Sequence, residues 1–205
     1  MSLTVSERSG PSAPPIPAGT YLAVCSMMID LGLQYNERFG NTTQKVLIGW
    51  EIPGETIEID GEEKPRMISK QYTASLSSKA TLRKDLESWR GKSFTPEELK
   101  AFDMKAIVGT SCMLSIIHNE SAQGKTYAKI SGVMAVPKGM PRATLTEPAV
   151  TLDLDTCDLT DVQKLPNWIA EMIMSSETYR ARLNTQPQFV ELADDDPEVE
   201  GELPF

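Results

Sequence analysis

The chain has few of the residues that build common enzymatic and metal sites. Its 205 residues include one histidine and three cysteines, Cys25, Cys112 and Cys157, which lie far apart. An odd number of separated cysteines indicates neither a disulfide framework nor a zinc site and is typical of a reducing compartment. No stretch approaches the roughly 18 apolar residues of a membrane span, and residues 1–17 lack the apolar segment of a signal peptide. We therefore expect no bound metal, no membrane partner and a cytoplasmic location.

Catalytic motifs are also scarce. Gly124-Lys125-Thr126 is similar to the end of a phosphate-binding loop, but Asn119 occupies the position where that loop requires its first glycine. His118 has no cysteine or aspartate cluster nearby with which it could bind a metal. The paired acids at 62–63 and 97–98 suit a polar loop and a helix start, where solvent and the helix dipole stabilise them. The sequence therefore predicts a protein that is not an enzyme and has no cofactor.

Charge is distributed unevenly along the chain. The formal net charge is −9, yet residues 1–145 hold 17 Lys and Arg against 15 Asp and Glu, whereas residues 146–205 hold 3 against 14. Between Lys64 and Lys92 there are eight basic residues and only two acidic ones, Asp85 and Glu87. The sequence thus combines a basic patch, which suits a nucleic-acid partner, with an acidic C-terminal segment.

Hydrophobic periodicity predicts three strands, a helical connection and two further strands. Residues 1–17 are rich in Ser and Pro and are predicted to be disordered. Strands are expected at 20–31, 45–52 and 67–75, and a hairpin at 111–118 and 126–136. Between the third and fourth strands, Leu82, Leu86 and Trp89 recur at helical spacing, and Thr95 begins a capping box with a proline at the first helical position.

This order predicts a mainly β fold, an OB-fold, over residues 18–140. The OB-fold is a five-stranded Greek-key barrel with a helix between strands 3 and 4, and it commonly binds oligonucleotides. Another small β-barrel or an α+β sandwich is the alternative. Residues 141–184 are predicted as an extension whose helix, from 159 to about 174, packs on the barrel or on a second subunit of a homo-oligomer. Residues 185–205 are predicted to be a disordered acidic tail.

Two segments resemble known proteins. ISKQYTASLSSKATLRKDLESWRGKSFTPEEL, preceded by KVLIGWEI and followed by the hairpin SCMLSIIH…YAKI, resembles bacteriophage and prophage proteins related to single-stranded DNA-binding proteins; the resemblance covers roughly residues 21–136. The acidic end is similar to the C-terminal tip of bacterial single-stranded DNA-binding proteins, although PEVEGE separates its aspartates from its apolar tip.

The resemblance implies a function and a location. It implies sequence-independent, non-catalytic binding of single-stranded DNA during phage DNA replication, recombination or repair in the cytoplasm of a bacterial host. It also implies that the tail recruits replication, recombination and repair proteins. The tail residues expected to bind these partners are Asp194, Asp195, Asp196, Leu203, Pro204 and Phe205.

Candidate DNA contacts follow from what single-strand binders need, which is a positive groove for phosphates and aromatic rings on which bases stack. Lys70 and Tyr72 share one face of a strand, and Tyr127 and Lys129 repeat this pairing on another strand. The alternatives are that the aromatic rings lie in the core and that the basic residues form an ordinary solvated surface. The full set of predicted contacts is Tyr35, Arg38, Phe39, Trp50, Lys70, Tyr72, Lys79, Arg83, Arg90, Tyr127 and Lys129.

A second hypothesis is an acidic DNA mimic that inhibits a nucleic-acid enzyme of the host. A mimic needs its acids on the folded surface. Here most of the excess acid follows residue 145, and we therefore prefer DNA binding.

Deletion of Phe205 should separate partner recruitment from DNA binding. The ring and carboxylate of this residue suit an apolar pocket rimmed by Lys or Arg on a partner, and burial of the ring would contribute about 1.5–3 kcal/mol. We expect the deletion to abolish capture of host replication or repair proteins in a pull-down while oligo-dT binding is preserved. Identical partner sets for the full-length and deleted proteins would mean that the tail only adds solubility.

Overall fold

A computed structural model of the chain describes residues 14–37, 39–59 and 61–185. The protein is mainly β. Its five long strands are β1 (Gly19–Asn36), β2 (Asn41–Ile59), β3 (Glu62–Thr73), β4 (Ser111–Glu120) and β5 (Thr126–Met134). The connection from β3 to β4 contains α1 (Thr81–Arg90), α2 (Pro96–Lys100) and a 3-10 turn (Met104–Ile107). After β5 come a short strand, β6 (Val150–Leu152), and three helices, α3 (Leu159–Val162), α4 (Asn167–Met174) and α5 (Glu177–Thr185).

The five long strands form one strongly curled antiparallel sheet, a half-barrel with the order β3-β2-β1-β4-β5. The N-terminal part of β1 pairs with β4 and the remainder pairs with β2, while β6 runs parallel to β1 opposite Met27–Ile29. The register shifts twice between β1 and β2, at residues 25–27 and 30–32. Such irregularities bend a strand and increase its twist, and this bending lets one long strand serve two partners. The outermost strands, β3 and β5, approach each other to within 8 Å between Cα atoms.

The concave side of the sheet encloses the first hydrophobic core. Alternate residues of β2, namely Val46, Ile48, Trp50 and Ile52, point into it, as the twofold period of a strand requires. Helix α1 contributes Leu82, Leu86 and Trp89, and the rings of Trp50 and Trp89 are 5.9 Å apart. The apolar face of α1 therefore covers this side of the half-barrel.

The segment after β5 builds a second core on the other side of β1. Met27, Ile29 and Leu31 of β1 are buried there with Leu47 of β2. They pack against apolar residues of the C-terminal segment, Leu152, Leu154, Leu159, Val162, Leu165, Ile169, Ala170 and Ile173. Gly32 permits the close approach, since its φ is +74° and an added Cβ would lie 2.7 Å from Ser176 Oγ. The extension thus packs on the barrel strands within one chain.

Several predicted boundaries need correction. Residues 32–36 and 56–59 are paired strand where loops were expected, because the β1–β2 and β2–β3 ladders satisfy their backbone groups. The expected single helix at 159–174 is divided into α3 and α4 around Pro166, which has no N–H to donate to a continuing helix. The order of strands and helices is confirmed, as is the capping box at Thr95. Gly91 is the C-cap of α1. None of the helices in the described part of the chain combines the length and apolar composition that crossing a membrane requires.

Ile169→Ala should destabilise the whole domain. The side chain of Ile169 is fully buried between the extension and β1, and truncation of a buried isoleucine costs about 2–5 kcal/mol because it leaves a cavity. We expect one cooperative urea transition, monitored by circular dichroism, with a lower midpoint. Leu183→Ala, at a half-exposed position of α5, is the control and should change the midpoint little. A separate early transition, with the main one unchanged, would show that the extension folds independently.

Candidate nucleic-acid interface

A basic groove of about 520 Å3 lies between the β2–β3 ladder and the start of α1. We call it the lysine groove, after Lys45, Lys70 and Lys79, which line it. The other lining residues, none of them acidic, are Gln71, Tyr72, Thr73, Ser75, Ser77, Ala80, Thr81 and Leu82. Three cations and several hydroxyl groups therefore face one concave surface.

The three lysines differ in how strongly the protein itself engages their charges. Lys70 Nζ lies 2.7 Å from Asp85 Oδ2, so this ammonium group is largely neutralised. Lys45 Nζ donates only to the hydroxyl of Thr73, at 2.8 Å, and Lys79 is exposed in the turn before α1. Within the described residues, neither Lys45 nor Lys79 has an acidic partner. Their charges are available to an anionic ligand.

The start of α1 adds to the positive character of the groove. Its N-cap, Ala80, offers no side-chain acceptor to the first N–H groups, and its first turn contains no acid. Ser77 and Ser78, which precede the helix, do not cap it. Because the N-terminal end of a helix carries a partial positive charge, it reinforces the nearby lysines.

Two predicted stacking residues are core residues. Tyr72 is 4% exposed, and its hydroxyl donates to Asp85 at 2.8 Å; burial, and then the Asp85 charge, raise the pKa of this tyrosine. Trp50 is fully buried against Trp89. Strand alternation turns both rings toward the core, so neither can stack on a base, and the prediction for these two residues is corrected.

Two predicted helix contacts serve the protein's own structure instead. Arg83 Nε lies 3.0 Å from Glu87 Oε1, and its guanidinium also donates to the Leu76 carbonyl. The hydrogen bond from Arg83, and then that from the Phe94 N–H, lower the pKa of Glu87. Arg90 pairs with Glu98 and lies over the rings of Phe94 and Phe102. These contacts connect the end of α1 to α2 and the residues on either side of α2. Both guanidinium groups already have partners, and we remove them from the lysine-groove interface.

Four predicted contacts are on the surface. Tyr35 is 63% exposed and Phe39 is 69% exposed, and they flank the turn between β1 and β2. Tyr127 is 44% exposed, and Lys129 beside it on β5 is also exposed, next to the turn between β4 and β5. Arg38 and the six predicted partner-binding residues of the tail lie outside the described residues.

Lys45 was missed by the sequence prediction, although its position contains a signal. It begins the run KVLIGWEI, in which Val46, Ile48, Trp50 and Ile52 alternate into the core. A lysine in the opposite phase must point away from that core. Its pairing with Thr73 of β3 then places it at the groove.

Three carboxylates meet beside the irregular part of β1 near Asp30. Oxygen atoms of Asp30, Asp153 and Asp155 lie within 4.8 Å of one another. Burial raises the pKa of Asp30, hydrogen bonds from Gly32 and Gln44 lower it, and the charges of Asp155 and Asp153 raise it further. Acidic groups of this kind are common without a metal ion, and we assign none to the cluster.

We compared the chain with protein-family models, curated proteins and solved structures, and none of them gave a match. The resemblance to single-stranded DNA-binding proteins therefore remains a prediction. Arguments about function depend on the geometry described above.

Asp30→Asn should stabilise the protein at neutral pH and flatten the pH dependence of stability. Because the pKa of Asp30 is raised in the folded state, the folded protein favours the protonated carboxyl. The contribution of Asp30 to stability is therefore present at low pH and is lost as the pH rises through its folded-state pKa. Asparagine resembles the protonated form at every pH. Both hydrogen bonds go to Oδ1, which asparagine retains. We expect a gain of up to about 1 kcal/mol in urea denaturation at pH 7 and none near pH 3. Glu171→Gln, an exposed control on α4, should show no such pH-dependent gain; a loss in Asp30→Asn at pH 7 contradicts the argument.

Proposed function

We propose that the protein binds single-stranded DNA, without sequence preference and without catalysis, through an OB-type barrel. The observation that carries this proposal is the lysine groove. It contains two cations that have no acidic partner among the described residues, and the exposed ring of Tyr35 lies on β1, which pairs with the strand that carries Lys45.

The topology supports the assignment to the OB class. Strand order β3-β2-β1-β4-β5, with helices between the third and fourth strands, is the arrangement expected for a partly open five-stranded Greek-key barrel. OB-folds bind oligonucleotides on the face of strands 2 and 3 and through the loops that join strands 1–2 and 4–5. The lysine groove borders strands 2 and 3, and Tyr35, Phe39 and Tyr127 flank those two loops.

The spacing of these groups suits a flexible polyanion. Tyr35 is paired with Thr42, which is three residues before Lys45 on the same strand, a separation of about 10 Å. Strand alternation places Tyr35 and Lys45 on opposite faces of the sheet. A strand of a few nucleotides that passes around the end of the β1–β2 ladder would therefore place a phosphate at Lys45 and a base against Tyr35. Stacking tolerates any base because every base has a flat face, which accounts for the absence of sequence preference.

The groove also argues against the DNA-mimic hypothesis. A mimic would present carboxylates in the pattern of DNA phosphates on its folded surface. The lysine groove instead has three lysines and no acidic lining residue. Such a surface would attract DNA and repel a protein that binds DNA through cations.

The biological setting of the proposal comes from the resemblance. We place the protein in phage-type DNA replication, recombination or repair in a bacterial cell. DNA binding by the barrel and recruitment of partner proteins by the acidic tail are separate activities in this proposal, because they use different parts of the chain.

Fluorescence anisotropy with labelled oligo-dT and a matched duplex tests the proposal. We expect preference for the single strand and a log–log salt slope near −0.7 for each phosphate that is neutralised. Lys45→Ala and Lys79→Ala should each make the slope shallower by about 0.7. Tyr35→Ala, Phe39→Ala and Tyr127→Ala should each cost about 1–3 kcal/mol if their rings stack on bases.

Lys138→Ala is the matched control, since Lys138 is exposed and lies outside the groove. Its slope and affinity should equal those of the parent protein. Equal affinity for duplex and single strand, or the same loss in Lys138→Ala as in Lys45→Ala, would count against the proposed interface.

A further inference from the structure

A second cationic pocket lies beside the C-terminal end of α1. It has a volume of about 470 Å3 and is lined by Trp89, Arg90, Phe102, Ala106, Ile107, Thr110, Ser111, Ala135, Val136 and Arg142. We call it the arginine pocket. The lysine groove is at the opposite end of α1, and ten helical residues span about 15 Å, so the two sites are distinct.

Arg90 provides a donor that the protein leaves unused. Its Nη2 donates to Glu98, and the guanidinium lies 4.4 Å from the ring centre of Phe94 and 5.2 Å from that of Phe102. Nη1 is closed to solvent and has no hydrogen-bond acceptor among the described residues. A buried N–H without an acceptor is unfavourable, so a ligand acceptor would gain from this group if the side chains around Nη1 move to admit it.

Arg142 provides a second cation at the same pocket. It is exposed in the segment between β5 and β6, and it makes no hydrogen bond or ion pair with the other described residues. The lining contains no acid, and the one carboxylate that engages a guanidinium here, Glu98, pairs with Arg90 from outside the lining. Two arginines, each with unused donor capacity, are the usual means of holding a doubly charged oxyanion such as a phosphate group.

The size and walls of the pocket indicate what the oxyanion is attached to. A single phosphate would leave most of 470 Å3 empty, and this volume is within the range of sites for small organic ligands. Phe102, Ile107 and Val136 provide apolar walls against which a flat ring can pack. We propose that the arginine pocket binds a nucleotide unit, with its phosphate at Arg90 and Arg142 and its base or sugar against these walls.

A nucleotide unit has two sources, a free nucleotide or one residue of a bound strand. A free nucleotide and a nucleotide within a bound strand present the same phosphate and base. The contacts proposed for the pocket are therefore the same for both sources. The inference does not depend on the function proposed above, because the two sites share no lining residue.

An NMR titration of the full chain tests the inference with three probes, thymidine monophosphate, inorganic phosphate and thymidine, at constant ionic strength. We expect thymidine monophosphate to shift the indole N–H signal of Trp89 and the amide signals of Thr110 and Ser111 saturably. Inorganic phosphate should act on the same signals at higher concentration, and thymidine should act on them least. Arg142→Ala should weaken thymidine monophosphate binding about tenfold, the loss of one charge-assisted contact.

Two further variants make the test specific. Arg180→Ala removes an exposed arginine of α5 that lines neither site and should bind thymidine monophosphate like the parent. Arg142→Lys keeps the charge but not the planar fork, and it should show intermediate affinity. Arg142 is exposed and makes no described contacts, so the remainder of the Arg142→Ala spectrum should be unchanged.

Oligo-dT separates the two sources. A salt slope that is about 0.7 shallower in Arg142→Ala assigns the pocket to the strand. An unchanged oligo-dT slope, together with weakened thymidine monophosphate binding in the same variant, assigns it to a free nucleotide. No saturable shift at Trp89 with any probe, or equal binding of thymidine monophosphate by Arg142→Ala and the parent, overturns the inference. Binding of thymidine monophosphate without binding of oligo-dT would support this pocket and overturn the proposed function.

Discussion

The rest of the structure depends on the burial of both faces of β1. One face packs into the half-barrel with Trp50, and the other packs beneath the C-terminal helices through Met27, Ile29 and Leu31. A strand that is buried on both faces has to be apolar almost throughout, and TYLAVCSMMIDL meets this requirement. Because one strand serves both cores, loss of packing on either side must weaken the other, and the irregularities of β1 allow it to bend between its partners.

This arrangement determines where charge can be placed. On the outer face of β2, the C-terminal extension packs over Leu47. Lys45, two residues earlier on the same face, is not part of this second core and pairs with Thr73 at the end of β3. The lysine groove forms there, where β3 leads through an irregular turn into α1. Asp85 stabilises the wall of the groove through Lys70 and Tyr72. Because Lys70 and Tyr72 both donate to Asp85, neither side chain is free to bind a ligand.

The sequence predicts local features of this fold better than it predicts exposure. The order of strands and helices follows from hydrophobic periodicity, and the Thr95 cap follows from its local sequence. Both depend on interactions between residues that are close in the chain. Alternation shows that Lys70 and Tyr72 share a face, but α1, which arrives from elsewhere in the chain, makes that face an interior one. Arg90 is a similar case, because the rings of Phe94 and Phe102 engage it only after the chain folds back on itself. Strand lengths were underestimated because ladder hydrogen bonds stabilise polar residues that composition assigns to loops.

The distinction between engaged and unengaged cations decides which basic residues can bind a ligand. A guanidinium or ammonium group that already has a carboxylate must lose that contact before it gains a phosphate, so the net gain is small. Arg83 and Lys70 belong to this group, whereas Lys45, Lys79 and Arg142 have no acidic partner among the described residues. Arg90 lies between the two cases, because Glu98 engages its Nη2 while Nη1 has no acceptor among the described residues. Mutual repulsion between the unpaired cations Lys45 and Lys79 in one groove disfavours folding, and the anion binding proposed above would offset that repulsion.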